Sequence, residues 1–283
     1  MLWSENMRYN LNEILELGEK GGFAVPAFNM YNFESVLGVM HAAEETGAPV
    51  IFQVYNRLFD TGVAKYLIPA IQEVVHTLKT PAAIHLDHGA GAPEVIRAIR
   101  YGATSVMIDA STLPFDENVA VTKSIVDIAK EAGVSVEGEL GHVGSAANGD
   151  ETGAYTEVSA AAEFVRKTGV DALAVMVGTA HGKYKKAPVL AIDRIAELHE
   201  ATNAHLVLHG GSGVPDDQLQ EAVKAGIRKV NYATDVCIEF IEGCKRVDPY
   251  SEPLDKYLMH PTQDVKNFAI SRIRVLGADK YGK

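Results

Sequence analysis

Apolar residues along this chain gather in short, nearly continuous runs, separated by longer stretches where they recur every three or four positions. The runs are "FAVPAFN" (23–29), "PVIFQV" (49–54), "AAIHLD" (82–87), "TSVMID" (104–109), "VSVEGEL" (134–140), "ALAVMV" (172–177), "HLVLHG" (205–210) and "RKVNYA" (228–233). Runs of this length and character read as strands of a parallel sheet buried on both faces. The intervening segments, such as 32–47, 118–133 and 216–226, are amphipathic at helical spacing, and several end in the glycine that commonly follows a helix C-terminus. Strand and helix alternate through eight βα units. Eight units in about 250 residues predict an α/β fold, a single (β/α)8 TIM barrel, rather than an open doubly wound sheet. No glycine fingerprint for a dinucleotide follows the first strand, which also counts against the open sheet.

Two segments lie outside the repeat. "YNLNEILELGEKGG" (9–22) predicts an N-terminal capping helix that closes the bottom of the barrel, and 255–277 predicts a long C-terminal helical extension. No Pro-, Gly- or Ser-rich linker interrupts the chain, so residues 1–283 are expected to form one domain.

Composition narrows the partners. With 283 residues, 47% of them hydrophobic, there is ample material for a large core. The formal net charge of −11 argues against nucleic acid or an anionic membrane surface as a partner. A small anionic substrate is still allowed, because a few local donors override the global field. No apolar stretch approaches the roughly 20 residues that span a bilayer, and the N-terminus has no basic segment leading into an apolar one. Cys237 and Cys244, seven apart, read as reduced thiols. A cytoplasmic protein is the expectation.

The polar residues that interrupt the apolar runs sit at the strand ends, where barrels of this class carry their working face. Strand 3 ends in Asp87 and His88 and strand 5 in Glu137 and Glu139; His181 follows strand 6, and His209 ends strand 7. Three histidines arriving from three strand ends can hold Zn²⁺ with one position open to a substrate. His41, His76, His199 and His205 read as hydrogen-bonded core residues rather than ligands, and His85 as a packing or supporting one. "GGSG" (210–213) offers backbone N–H groups and a hydroxyl to an anion, and "ATD" (233–235) offers a second hydroxyl at a helix start. The same residues are also what tight turns and an N-cap at Thr234 or Asp235 require.

Taken in order, "FAVPAFNMYN" (23–32), "HLDHG" (85–89), "VMIDAS" (106–111), "VEGELGHVG" (136–144), "VGTAHGKY" (177–184), "LHGGSGV" (208–214) and "VNYATD" (230–235) resemble the class II, metal-dependent ketose-bisphosphate aldolases, over nearly the whole chain. The resemblance implies a zinc-dependent aldolase that reversibly cleaves a ketose 1-phosphate or 1,6-bisphosphate into dihydroxyacetone phosphate and an aldehyde. It implies His88, His181 and His209 as ligands of one catalytic Zn²⁺ and Asp87 as the residue that moves the C4 hydroxyl proton. Asp109 and Glu139 match acidic residues near a second or alternative metal position, which allows an additional monovalent or divalent cation. Asn29 matches a substrate contact. Gly182, Gly210, Gly211, Ser212, Asn231, Tyr232, Ala233 and Thr234 match the dihydroxyacetone phosphate pocket. A homo-oligomer, dimer or tetramer, goes with the family. The chemistry is coherent: a zinc ion on the C2 carbonyl turns the C3 carbanion into a stabilised enediolate. The alternative, a lysine Schiff base, has no lysine at a strand end to use.

Three departures bear on the substrate. After strand 2 the chain reads "QVYNRLFDTG" (53–62), with Tyr55, Asn56 and Arg57 where the family usually has small residues and a serine or threonine. Leu254 stands where fructose-bisphosphate enzymes place an arginine for the distal phosphate. The loop after "GHVG" lacks the acidic pair that usually follows; Asp150 and Glu151 come later, leaving the C3 proton-transfer residue open. Strand 8 has Ala233, as tagatose-bisphosphate enzymes do. The first two departures point to an aldehyde half other than glyceraldehyde 3-phosphate, uncharged at its far end or anionic, or to the same half held differently. Arg57 is then a clamp for a phosphate, sulfonate or carboxylate, or else a plain surface arginine. Two rivals stay open, a zinc hydrolase on the same barrel and a non-catalytic sugar-phosphate-binding subunit.

Overall fold

The computed structural model describes residues 7–141, 155–182, 184 and 186–282. Its strands are β1 (Val25–Asn29), β2 (Val50–Tyr55), β3 (Ala82–Gly89), β4 (Ser105–Ile108), β5 (Ser135–Leu140), β6 (Ala172–Val175), β7 (His205–Leu208) and β8 (Ile227–Tyr232). They pair in parallel, in chain order, and β8 returns to β1 to close the barrel. Helices alternate with the strands, so the expected (β/α)8 architecture is what the chain adopts.

The ends of the barrel are handled differently. Helix α1 (Leu11–Gly21) starts at Asn10, which exchanges hydrogen bonds with Glu13 in a capping box, and stops at the left-handed Gly22. It touches β1, β3, β5, β7 and β8, which it can do only by lying across the bottom of the barrel. The expected C-terminal extension is present but divided. A short α11 (Leu254–Tyr257) precedes α12 (Met259–Val275), which packs on α2 (Phe33–Thr46) and on α10 (Thr234–Lys245). Pro261 falls in the first turn of the second piece, where a residue without an N–H is best tolerated.

Several strands leave the ladder earlier than the hydrophobic runs suggest. β4, β6 and β7 stop at Ile108, Val175 and Leu208. Asp109 and His209 therefore lie in the first position of their loops, and His181 lies six residues past the end of β6. β3 instead runs on through His88, and its register against β4 shifts between Leu86 and Gly89. No helix among the described residues is long and apolar enough to cross a membrane.

Candidate active site

Side chains on a regular strand alternate, so Asp87 and His88 ought to point to opposite faces of the sheet. His88 breaks the alternation. Its φ is 52°, and it is the one non-glycine among the described residues in the left-handed region. A side chain there costs about 1–3 kcal/mol and is kept only where surroundings enforce it. Together with the β3–β4 register shift, it brings the His88 imidazole over to the side of Asp87, with Nε2 3.9 Å from Asp87 Oδ1.

Asp87 itself is held from two strands. Asn29 Nδ2 donates to its Oδ2 at 2.7 Å and Asn231 Nδ2 to its Oδ1 at 3.4 Å. Gln53 Nε2 in turn donates to Asn29 Oδ1 at 2.9 Å, which fixes the Asn29 amide with its nitrogen toward the carboxylate. Asp87 is buried yet still reaches the cavity wall.

His88, His181 and His209 converge. Their ring centres are 4.8–5.6 Å apart, and one ring nitrogen from each lies within 4.8 Å of the others. A second grouping that could hold a cation shares His88 and adds Asp109 and Glu139. The chemistry of the donors fits a divalent metal. His88 Nδ1 lies 2.8 Å from Asp109 Oδ2, and His209 Nε2 lies 2.8 Å from Glu137 Oε1. Each carboxylate occupies one ring nitrogen and leaves the other to ligate, the arrangement common around metal-binding histidines. His209 Nδ1 is buried without a hydrogen-bond partner, 3.4 Å from Glu139 Oε2. Buried polar atoms seldom go unsatisfied unless something else uses them.

The charges are strongly coupled. Burial alone would depress His88, but the carboxylates of Asp87, Asp109 and Glu139 outweigh it and push the imidazole up to about 9. Burial would likewise raise Asp109, and the His88 imidazole with the Ser111 hydrogen bonds holds it below the usual carboxylate range. Burial first, then the charges of His88 and Lys229, keep His209 well below the ordinary histidine value.

Above these residues opens a cavity of about 440 Å³, roomy enough for a sugar phosphate. One part of its wall comes from Gly182, Gly210, Ser212, Ala233 and Thr234. Ser212 Oγ accepts from Asp235 N at 3.1 Å, and Asp235 Oδ2 accepts from Gly213 N at 3.2 Å, so the loop after β7 is tied to the start of α10. Asp235 thus serves the loop, and neither it nor Thr234 caps the helix, which has no side-chain cap. Gly210 is irreplaceable on steric grounds: its φ is 65°, and a Cβ would stand 2.3 Å from the Ala180 carbonyl oxygen. Tyr184 closes the gap between the loops, its hydroxyl accepting from Ala180 N at 2.7 Å and donating to Gly210 O at 2.9 Å.

Not every expected residue reaches the cavity. Tyr232 does not: its ring stacks on Phe28 and meets Phe268 edge-on in the layer between barrel and α12. Position 232 follows Asn231, which points inward, so alternation sends its ring to the other face. Gly211 supports the loop through its N–H to Asn231 O. Leu254 is exposed on α11, away from this cavity. Arg57 does line it, its guanidinium 5.5 Å over the Tyr55 ring. Asp150 and Glu151 lie outside the described residues.

Three residues were missed. Tyr31 lines the cavity, and burial, then its hydrogen bond with Cys237, raises its phenol above the ordinary tyrosine value. Tyr184, the last residue of "VGTAHGKY", joins the loops after β6 and β7 through its hydroxyl. Lys229, fully buried inside the barrel, donates to Glu137 Oε2 at 2.7 Å. Its signal was there: Lys229 and Asn231 share strand parity, so if one faces the axis both do.

Comparisons with known proteins give the family and the fold. The family model for "Fructose-bisphosphate aldolase class-II" matches residues 9–281. The chain is 36% identical over 278 residues, 95% of its length, to a sulfofructosephosphate aldolase of Alkalicoccus urumqiensis, of which 96% is covered. Among solved structures, the YdjI aldolase of Escherichia coli K12 superposes with a TM-score of 0.88 at 30% identity, covering 96% of this chain and 98% of that one. A fructose-bisphosphate aldolase of Campylobacter jejuni, at 22% identity, shares the fold with a TM-score of 0.79 over 97% of each chain. The chain belongs to the class II fructose-bisphosphate aldolase family and is an aldolase, a carbon–carbon lyase, of a family that is metal-dependent and acts on sugar phosphates.

Proposed function

We propose that this aldolase cleaves a ketose 1-phosphate into dihydroxyacetone phosphate and an aldehyde carrying an anionic group at its far end, with a sulfonate the best-supported group. The observation that carries the reading is the position of Arg57. It stands at the cavity wall on the Tyr55 ring, just past the end of β2, whereas Gly210, Ser212 and Thr234, suited to the first phosphate, follow β7 and β8. A guanidinium on an aromatic face is a planar, permanently charged donor for a tetrahedral anion. The relative whose name includes a sulfofructose phosphate supports sulfonate over a second phosphate or a carboxylate.

His88, His181 and His209 would hold Zn²⁺, which supplies Lewis-acid polarisation of the C2 carbonyl and takes up charge released at C3. The remaining work falls to the chain. Asp87, oriented by Asn29 and Asn231, takes the C4 hydroxyl proton as the C3–C4 bond breaks and C4 becomes the aldehyde carbonyl. In condensation the same carboxyl group returns it. Ser212 Oγ accepts from Asp235 N, and its own O–H stays available to donate to the phosphate. Asp109 and Glu139, beside His88, could hold a further cation, and Asp150 or Glu151 would serve C3.

The test is release of dihydroxyacetone phosphate from 6-deoxy-6-sulfofructose 1-phosphate, fructose and tagatose 1,6-bisphosphates and fructose 1-phosphate, before and after chelation and with zinc restored. Chelator-sensitive preference for the sulfonate supports the reading. Preference for a bisphosphate would replace sulfonate with phosphate, and activity that survives complete metal removal would overturn the metal assignment.

A further inference from the structure

A lysine with no solvent exposure lies beneath the three histidines, and nothing in the reaction above uses it. Lys229 Nζ donates to Glu137 Oε2 at 2.7 Å, and Glu137, equally buried, sets its other oxygen, Oε1, 2.8 Å from His209 Nε2. The geometry points to Lys229 as a positioning residue for the metal site, one that fixes through Glu137 which nitrogen of His209 is left to ligate. This inference rests on the proposed three-histidine site.

The argument is a count of protons. An ammonium group only donates, so Glu137 Oε2 must accept from Lys229. The other nearby ring does not compete for that oxygen. His85 Nε2 is 3.5 Å away from it, and His85 Nδ1 lies 2.9 Å from Ser105 Oγ. Ser105 Oγ donates to Ile84 O at 3.3 Å, so it accepts from His85 Nδ1–H, and a neutral His85 has no proton to offer at Nε2. With Oε2 engaged by a cation, Glu137 is a carboxylate, and Oε1 accepts the proton of His209 Nε2. The proton is then on Nε2, and the lone pair is on Nδ1. That nitrogen is the one lying beside Glu139, toward the cation-binding residues.

An isosteric change that removes the carboxylate's charge reverses the logic. The amide introduced by Glu137→Gln must turn its oxygen to Lys229, because Lys229 cannot accept, and so must present its NH2 to His209 Nε2. Nε2 then has to accept, the proton moves to Nδ1, and the ligand lone pair is blocked. Adding Lys229→Met frees the amide to rotate and to offer its oxygen to His209 again.

The experiment reads the His209 tautomer by ¹⁵N-imidazole NMR of the metal-free protein and Zn²⁺ affinity by competition with a calibrated chelator, on folded samples checked by circular dichroism. Expected are the Nε2–H tautomer in the wild type, Nδ1–H with 10–100-fold weaker zinc in Glu137→Gln, and recovery of most of that loss in Glu137→Gln/Lys229→Met. A double variant no better than the single one, or a wild type with its proton on Nδ1, overturns the inference. The wild-type spectrum decides even where a variant fails to fold. A wild type that binds zinc no better than His181→Ala would instead overturn the metal site itself.

Discussion

The guanidinium carbon of Arg57 lies 5.5 Å from the centre of the Tyr55 ring, and both side chains line the cavity that Asp87 and His88 open into. The ring comes from the last residue of β2 and the arginine from the first turn of α3 (Arg57–Asp60), so the pair is placed by the end of a strand and not by a long loop. Arg57→Ala is expected to lower kcat/KM for a substrate with an anionic distal group by about 10–100-fold, the worth of a charge-assisted hydrogen bond. Cleavage of fructose 1-phosphate, which lacks that group, should change little. Equal losses on both would make Arg57 a structural residue.

Asp87 is positioned by amides from β1 and β8 and is assigned the C4 proton. Asp87→Asn keeps the shape and removes the base, so kcat should fall by about 10²–10⁴-fold with zinc content unchanged. Asn29→Ala removes the closer of the two amide donors while Asn231 stays, and a smaller loss, about tenfold, follows if orientation alone is affected. Steady-state kinetics with metal analysis of the same samples separates base removal from metal loss.

If the three histidines hold the metal as proposed, His88 is expected to carry the pH dependence of its loading. With its value pushed up to about 9 in the metal-free protein, the imidazole is protonated at neutral pH. A metal must displace that proton. Affinity should therefore rise about tenfold per pH unit from pH 7 toward 9 and then level off. Calorimetry in buffers of different ionisation enthalpy should count about one proton released per ion at pH 7.5. A flat profile would show that His88 is already neutral. Asp109→Asn, which takes away the largest hydrogen-bonded support of that proton, should move the plateau to lower pH.

At the other end of the barrel, burial first of all depresses His205, against the opposing pull of Glu19. The native state resists a proton that the unfolded chain accepts near pH 6.5. The stability associated with a neutral His205 is therefore complete above about pH 6.5 and is lost as the pH falls toward the lower native value. His205→Gln should flatten the acid limb of a urea-denaturation series between pH 6.5 and 5. An unchanged limb would assign the acid sensitivity to other groups.

The pattern of runs and motifs alone predicts the closed barrel and singles out the candidate site. Nearly continuous apolar runs at βα spacing leave a parallel sheet few ways to cover both faces, and the closed barrel follows. Asp87, His88, His181 and His209 stand out as candidates because polar groups at or beyond the ends of buried strands have no packing role to explain them. Other features depended on direction in space. Tyr232 sits in the same motif as Asn231, yet its ring faces Phe28, since alternation sends adjacent side chains to opposite faces. Asp87 and His88 are adjacent too, and they share the site because the left-handed turn at His88 cancels that alternation. Lys229 and Glu137, 92 residues apart, meet because closing the barrel carries β8 and β5 to one axis. A local pattern states which residues are buried. Only closure of the sheet decides which buried charges find each other, because a charge in a low-dielectric interior is stable only beside its partner.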